Sequence, residues 1–256
     1  MKNNTMRQHF SEIDSTNRWL RDNIATAQHG LLVDADFQTA GKGQATNRWE
    51  SARGENLLFS LLLEPTKVPV AQQFMLSEII SLAMVDVLSK LTQTEITIKW
   101  PNDIYSGDSK LSGILIETLL EGNCMAKAIV GVGLNVNQTK FVSDAPNPIS
   151  MQQIAGRAFS REEVLQQIVS RMLLYYEQFD PAQPEPWQKR YADALYRRSG
   201  RHTFSLPTGE TFQASIECVE PNGRLCLRRS DGELLKFTFK EVQFEINHRI
   251  IESSNH

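Results

Sequence analysis

Apolar positions along the chain fall into two kinds of run. Residues 57–63 (Leu-Leu-Phe-Ser-Leu-Leu-Leu) are almost continuously apolar and closed by Pro65, the pattern of a buried strand. Strand character recurs over 31–37, 96–100, 111–119 and 126–136, with Pro101 stopping the second of these. Between them Met75, Ile79, Ala83, Met84, Val87 and Leu91 recur at helical spacing and predict a helix over 71–91. Asp14-Ser15-Thr16-Asn17 reads as the start of a helix running to about Ala27. Further helices are predicted over 161–179 and 187–195. After Ser199-Gly200 the pattern changes to short β runs broken at Pro207-Thr208-Gly209, Pro221-Asn222-Gly223-Arg224 and Ser230-Asp231-Gly232. The chain thus divides into a mixed α/β part, 1–197, and a small antiparallel barrel or meander, 198–256.

Composition narrows this picture. In 256 residues, 41% are hydrophobic and 22% charged, enough for a substantial core. The net charge of −3 gives no bulk electrostatic reason to bind nucleic acid. Cys124, Cys218 and Cys226 lack metal-site or disulfide-framework spacing, and buried structural thiols are expected. The start MKNNTMRQHF has no apolar signal run, and no stretch is long enough to span a membrane, so a cytoplasmic protein is expected.

Four segments carry chemistry. In Gln38-Thr39-Ala40-Gly41-Lys42-Gly43-Gln44, glycines let backbone N–H groups approach an anion and the lysine adds a point charge; a flexible surface loop explains the same residues equally well. Lys99-Trp100-Pro101-Asn102-Asp103 should place Asn102 and Asp103 in the connection at a strand tip, where they could orient a magnesium ion or a lysine, with Lys110 close behind. An ordinary turn and a solvated lysine are the plain alternatives. In Gly131-Val132-Gly133-Leu134-Asn135, alternating glycines clear one face of a strand for a ligand, or mark a bulge or close packing. Ser15-Thr16-Asn17 offers hydroxyls and an amide, or simply caps a helix.

The order of these fragments is more informative than any one. S-T-N, Q-x-x-G-K-G with a following tryptophan, K-W-P-N-D, K-L-x-G-I-L and G-x-G-x-N together resemble the biotin–protein ligase family over about residues 10–137. The resemblance implies a mixed β-sheet flanked by helices, of the class II aminoacyl-tRNA synthetase and biotin ligase kind, with an SH3-like C-terminal barrel. It implies that ATP, with Mg²⁺, activates biotin to biotinyl-5′-AMP, which then modifies a lysine of a biotin carboxyl carrier domain. By position, Ser15, Thr16, Asn17, Gln38, Gly41, Lys42, Gly43, Gln44, Lys110, Gly113 and Gly131 match the biotin side. Lys99, Asn102, Asp103, Lys110 and Asn135 match the nucleotide side, Mg²⁺ falling near Asp103. Lys110, Lys42 and Asp103 are the expected catalytic groups.

The chain departs from the family in its loop, where Gln44, Ala45, Thr46 and Asn47 replace residues that are commonly arginine or glycine. Lysine is a point charge without arginine's planar fork, so weaker retention of the adenylate is expected. Three alternatives compete with the ligase reading. A DNA-binding repressor of the same family would carry a winged helix before Ser15, for which the sequence leaves no room. A lipoate–protein ligase fits K-W-P-N-D and the early Gly-Lys-Gly less well. A catalytically dead binding module would not need Lys42, Asp103 and Lys110. The resemblance admits a monomer or a homodimer, since members of the family differ in dimerisation.

Overall fold

Every side chain of the run Leu57–Leu63 is buried, and this strand (β3) lies near the middle of a seven-stranded mixed sheet. The computed structural model describes residues 6–41, 43, 49–122, 124–142 and 147–246. Lys42, Gln44 and the rest of the unusual loop, 44–48, lie outside them. The sheet has the order β1 (Arg7–Phe10), β2 (Leu32–Ala35), β3, β7 (Cys124–Leu134), β6 (Ser109–Glu121), β5 (Asp103–Ser106), β4 (Thr97–Lys99). Only the β1–β2 pair is parallel.

Strand alternation assigns the two faces different tasks. Phe59, Leu61, Leu63, Val130, Val132 and Ile114 join the main core under α2 (Phe74–Thr92) and α4 (Arg161–Gln178). The opposite face carries a smaller cluster, in which Val33, Leu62 and Ile129 pack against Leu20 of α1 (Thr16–Asp22). Ser60, Gly131, Gly133, Gly113 and Glu117 share that second face by register, since Ser60 pairs with Gly131, Gly113 with Gly133 and Glu117 with Ile129. One layer of helices therefore seals the core, while among the described residues the other face is covered by the short helix α1.

The C-terminal part is a separate five-stranded antiparallel sheet of order β11 (Leu234–Phe237), β10 (Leu225–Arg229), β9 (Thr211–Val219), β8 (His202–Ser205), β12 (Gln243–Phe244). Its three turns fall where the sequence places them. The β9–β10 turn reaches back to the first sheet: Gly223, at φ +88°, brings its carbonyl to the Trp100 indole N–H, which donates at 2.9 Å. Phe204, Phe212 and Leu227 of the small sheet belong to the same apolar core as α2.

Several expectations need correction. Helix α1 ends at Asp22, not near Ala27, and α5 spans Glu185–Asp193. Strands β1 and β5 and helix α3 (Met151–Ala155) were not anticipated. Asp103 opens β5 and is not part of the connection, which holds Asn102. Of the cysteines only Cys226 is buried; Cys124 and Cys218 are exposed. Among the described residues no helix is long and apolar enough to cross a membrane.

Candidate active site

The open face of the sheet collects the polar residues. Ser15 caps α1, its hydroxyl accepting from the Arg18 N–H at 3.4 Å, so the simple capping role holds for this residue. The cap turns Thr16 and Asn17 inward over the strands, where both are buried. Gln38 Oε1 accepts from the Thr16 N–H at 2.7 Å and lies 3.0 Å from the Thr16 hydroxyl. The Ser60 hydroxyl lies 2.7 Å from that of Thr16 and donates to Asn17 Oδ1 at 2.6 Å. Asn17 Nδ2 in turn donates to Glu117 at 2.9 Å, and Arg21 pairs with the other oxygen of this carboxylate.

Gly131 makes this cluster possible, because a Cβ there would collide with the Asn17 amide. Gly133 does the same for Trp49, whose indole lies across it; at Gly113 a Cβ would come within 3.2 Å of the same ring. The alternating glycines do clear one face of the strand, as expected. Side chains of the protein itself, Asn17 and Trp49, lie in the cleared space. The Trp49 N–H also closes the base of its loop by donating to the Gly41 carbonyl at 3.1 Å. Among the described residues the buried indole Nε1 has no hydrogen-bond partner, and neither has Asn102 Oδ1.

Lys110 stands at the end of the glycine track. Its ammonium donates to Asp103 Oδ2 at 2.7 Å and lies 5.9 Å from the centre of the Trp49 indole. The β5–β6 hairpin brings the pair together, with Asp103 opposite Gly113 and a bulge re-aiming Lys110. Lys99, opposite Asp103 on β4, lies over the rings of Tyr105 and Phe244 at 5.1 and 5.6 Å. Burial holds the Lys99 ammonium below its ordinary pKa; Asp103 opposes the shift, and Lys110 and Arg197 add to it. Asp103, Lys99 and Lys110 thus form one cationic corner around a single carboxylate.

The sequence-predicted residues separate into two groups. Thr16, Asn17, Gln38 and Gly131 meet in the polar cluster, and Lys99, Asp103, Lys110 and Gly113 meet in the cationic corner, with Trp49 between. Gly41 borders the first group, where its own Cβ would approach Gln38 Nε2 to 3.3 Å, and Gly43 is partly exposed. Asn102 and Asn135 each donate their amide N–H to the fold, while Asn102 Oδ1 is left over among the described residues. Asn102 Nδ2 donates to the Ile114 carbonyl at 2.5 Å, and Asn135 Nδ2 to the Ile149 carbonyl at 3.1 Å. Among the described residues no group of three or more His, Cys, Asp or Glu could hold a metal ion, so Asp103 is the acidic group available beside the lysines.

Two participants were missed. Ser60 is the single polar residue of β3 and fully buried, a departure from an otherwise apolar run that could have been noticed. Glu117 ends the K-L-x-G-I-L-I-E stretch, but its partner Asn17 is 100 residues away and no local pattern pairs them.

The biotin/lipoate A/B protein ligase family model matches residues 9–135, which contain both groups of site residues. The bifunctional ligase/repressor BirA of Salmonella typhimurium is 32% identical over 181 residues, covering 70% of this chain. The chain spans 56% of that relative's length. The biotin–[acetyl-CoA-carboxylase] ligase of Mycobacterium tuberculosis is 28% identical over 201 residues, 77% of this chain and 73% of the relative. The fold is similar to that of a biotin protein ligase from Aquifex aeolicus in complex with biotin and ATP, with a TM-score of 0.77 at 23% identity over 94% of this chain and 99% of that one. On the match that spans its glycine track, polar cluster and lysine–aspartate pair, the chain belongs to the biotin/lipoate A/B protein ligase family.

Proposed function

We propose that this chain is a biotin–protein ligase, which joins biotin to ATP as biotinyl-5′-AMP and passes the biotinyl group to a lysine of a biotin carboxyl carrier domain. The observation that carries this reading is the Lys110–Asp103 pair at one end of a glycine-cleared track whose other end is a buried hydrogen-bonding cluster. A cyclic urea has both N–H donors and a C=O acceptor to match such a cluster. The dithiolane ring of lipoate has neither and would leave buried polar groups unpaired, which favours biotin by the asymmetry of that cost. The name of the Mycobacterium relative, a biotin–[acetyl-CoA-carboxylase] ligase, points the same way.

In the first step a carboxylate oxygen of biotin attacks the α-phosphorus of ATP, and pyrophosphate leaves. Two anions must approach, so the chain's own task is to supply fixed positive charge where negative charge builds up. Lys110 is assigned that role at the carboxylate and α-phosphate, and Lys42 is proposed to assist from the loop. Asp103 orients Lys110 and is the carboxylate that would meet Mg²⁺ arriving with ATP, since such ions commonly use one or two protein carboxylates plus phosphate oxygens. Magnesium would supply neutralisation of the triphosphate. Lys99, held in its aromatic surroundings, adds charge on the nucleotide side. Trp49 and the loop it closes would keep water from the mixed anhydride. In the second step the acceptor lysine, as a free amine, attacks the biotinyl carbonyl and AMP leaves.

Residues 1–197 are assigned the chemistry and 198–256 a supporting barrel, joined to the site through Trp100 and Gly223. A cytoplasmic location is proposed along with that acceptor. The test is transfer: with ATP, Mg²⁺ and biotin, a purified carrier domain should gain a biotin detectable by streptavidin and by mass. Modification of a lipoyl domain by lipoate, with none of the carrier by biotin, would reassign the chain within its family.

A further inference from the structure

The buried cluster has a direction, and a residue outside the expected site sets it. An ionised carboxylate only accepts hydrogen bonds. Glu117, paired with Arg21, therefore obliges the Asn17 amide to turn its NH₂ outward, at 2.9 Å, and its oxygen inward. That oxygen lies 2.6 Å from Ser60 and must receive the one Ser60 proton. The Thr16 hydroxyl then has one proton and two neighbouring acceptors, Ser60 Oγ at 2.7 Å and Gln38 Oε1 at 3.0 Å. Gln38 is turned by the Thr16 backbone N–H, which claims its oxygen at 2.7 Å and points its NH₂ toward Gly41. Without an acceptor at position 117, the Asn17 amide could reverse, and with it the protons of Ser60 and Thr16.

We propose that Glu117 is a positioning residue that fixes the hydrogen-bond polarity of the pocket for the cyclic-urea head of the substrate, and so sets specificity for urea over its guanidine-type analogues. This rests on the biotin ligase reading above. The residue touches no reacting atom: it acts through Asn17, Ser60 and Thr16, across β6, β7 and β3. Glutamine at this position keeps the size and can still reach Asn17, but it offers either an oxygen or an NH₂ and no longer decides which way the amide faces.

The experiment compares wild type with Glu117→Gln for biotin-dependent pyrophosphate release, measuring KM for biotin, KM for ATP and kcat. It also measures competition by 2-iminobiotin, whose ureido oxygen is replaced by a nitrogen donor. The expected result is a rise in KM for biotin of about tenfold or more, a cost of the order of one hydrogen bond to a charged group. KM for ATP stays within twofold and kcat falls far less than KM rises. Discrimination between biotin and 2-iminobiotin narrows. A purely structural Glu117 would lower the melting temperature while leaving the biotin KM and the iminobiotin ratio unchanged, and that outcome overturns the proposal. If wild type itself shows no biotin-dependent release, the ligase reading fails, a result distinct from a wild type that is active and a variant that matches it.

Discussion

Lys110 and Asp103 form an ion pair of 2.7 Å across the β5–β6 hairpin, and each side chain is about one-quarter exposed. Pairs this open to solvent contribute only about 0–1 kcal/mol to stability, so this one matters for where it holds the ammonium. Lys110→Ala should melt within a few degrees of wild type while its rate of biotin adenylation falls by at least about 100-fold, the scale of losing one preorganised charge. Pyrophosphate release and a thermal melt on the same preparation check both halves. Near-normal release by a folded variant would remove Lys110 from the chemistry.

The two glycines of the track make separable predictions. Gly131→Ala drives a methyl group into the Asn17 amide and should weaken biotin binding, with an overpacking cost of about 1–3 kcal/mol. Gly133→Ala instead displaces the Trp49 indole. Its signature is a red shift and easier quenching of the Trp49 emission, isolated as the difference from Trp49→Phe. Identical effects of both substitutions on biotin affinity and on Trp49 would show that the track is not divided between the two side chains.

Glu78 lies in α2 with one carboxyl oxygen buried and unpartnered, and burial pushes its pKa up to about 7. The unfolded chain releases this proton at an ordinary carboxylate pKa, near 4.5, while the folded protein retains it. Stability should therefore fall as pH rises from about 4.5 to about 7 and level off above, by an amount on the order of 3 kcal/mol for this group. Glu78→Gln should remove that decline, raising the melting temperature at pH 8 far more than at pH 4.5. An equal gain at both pH values would contradict the assignment.

The β9–β10 turn makes the joint between the two sheets testable. Trp100→Phe removes the 2.9 Å bond to the Gly223 carbonyl, at a cost of about 1 kcal/mol. Gly223→Ala should cost more, because its φ is +88° and a Cβ would lie 2.6 Å from the Phe74 ring. Urea midpoints of the two variants should rank in that order.

Much of this architecture was legible because burial writes itself into runs of apolar residues. Strand β3 and helix α2 follow directly from continuity and period, and the C-terminal turns from their Gly-containing signals. Strand β1 was not legible: Arg-Gln-His-Phe is an edge strand with mostly exposed side chains, so no apolar alternation marks it. Strand β5 is four residues long and begins immediately after the Pro-Asn turn, which masked it. At the site, the last three motifs in sequence order fall on neighbouring strands of one sheet, and Asn102 and Asn135 each donate an amide N–H to a backbone carbonyl. Glu117 and Ser60 escaped because their roles are created only when strands distant in sequence share a face.

Activation of biotin is the task proposed for the glycine track and the Lys110 corner. It is tested most directly by pyrophosphate release with ATP, Mg²⁺ and either biotin or lipoate, with no acceptor present. Release should depend on biotin, fail with lipoate and be lost in Lys110→Ala. Release with lipoate alone, or with neither acid, would contradict it.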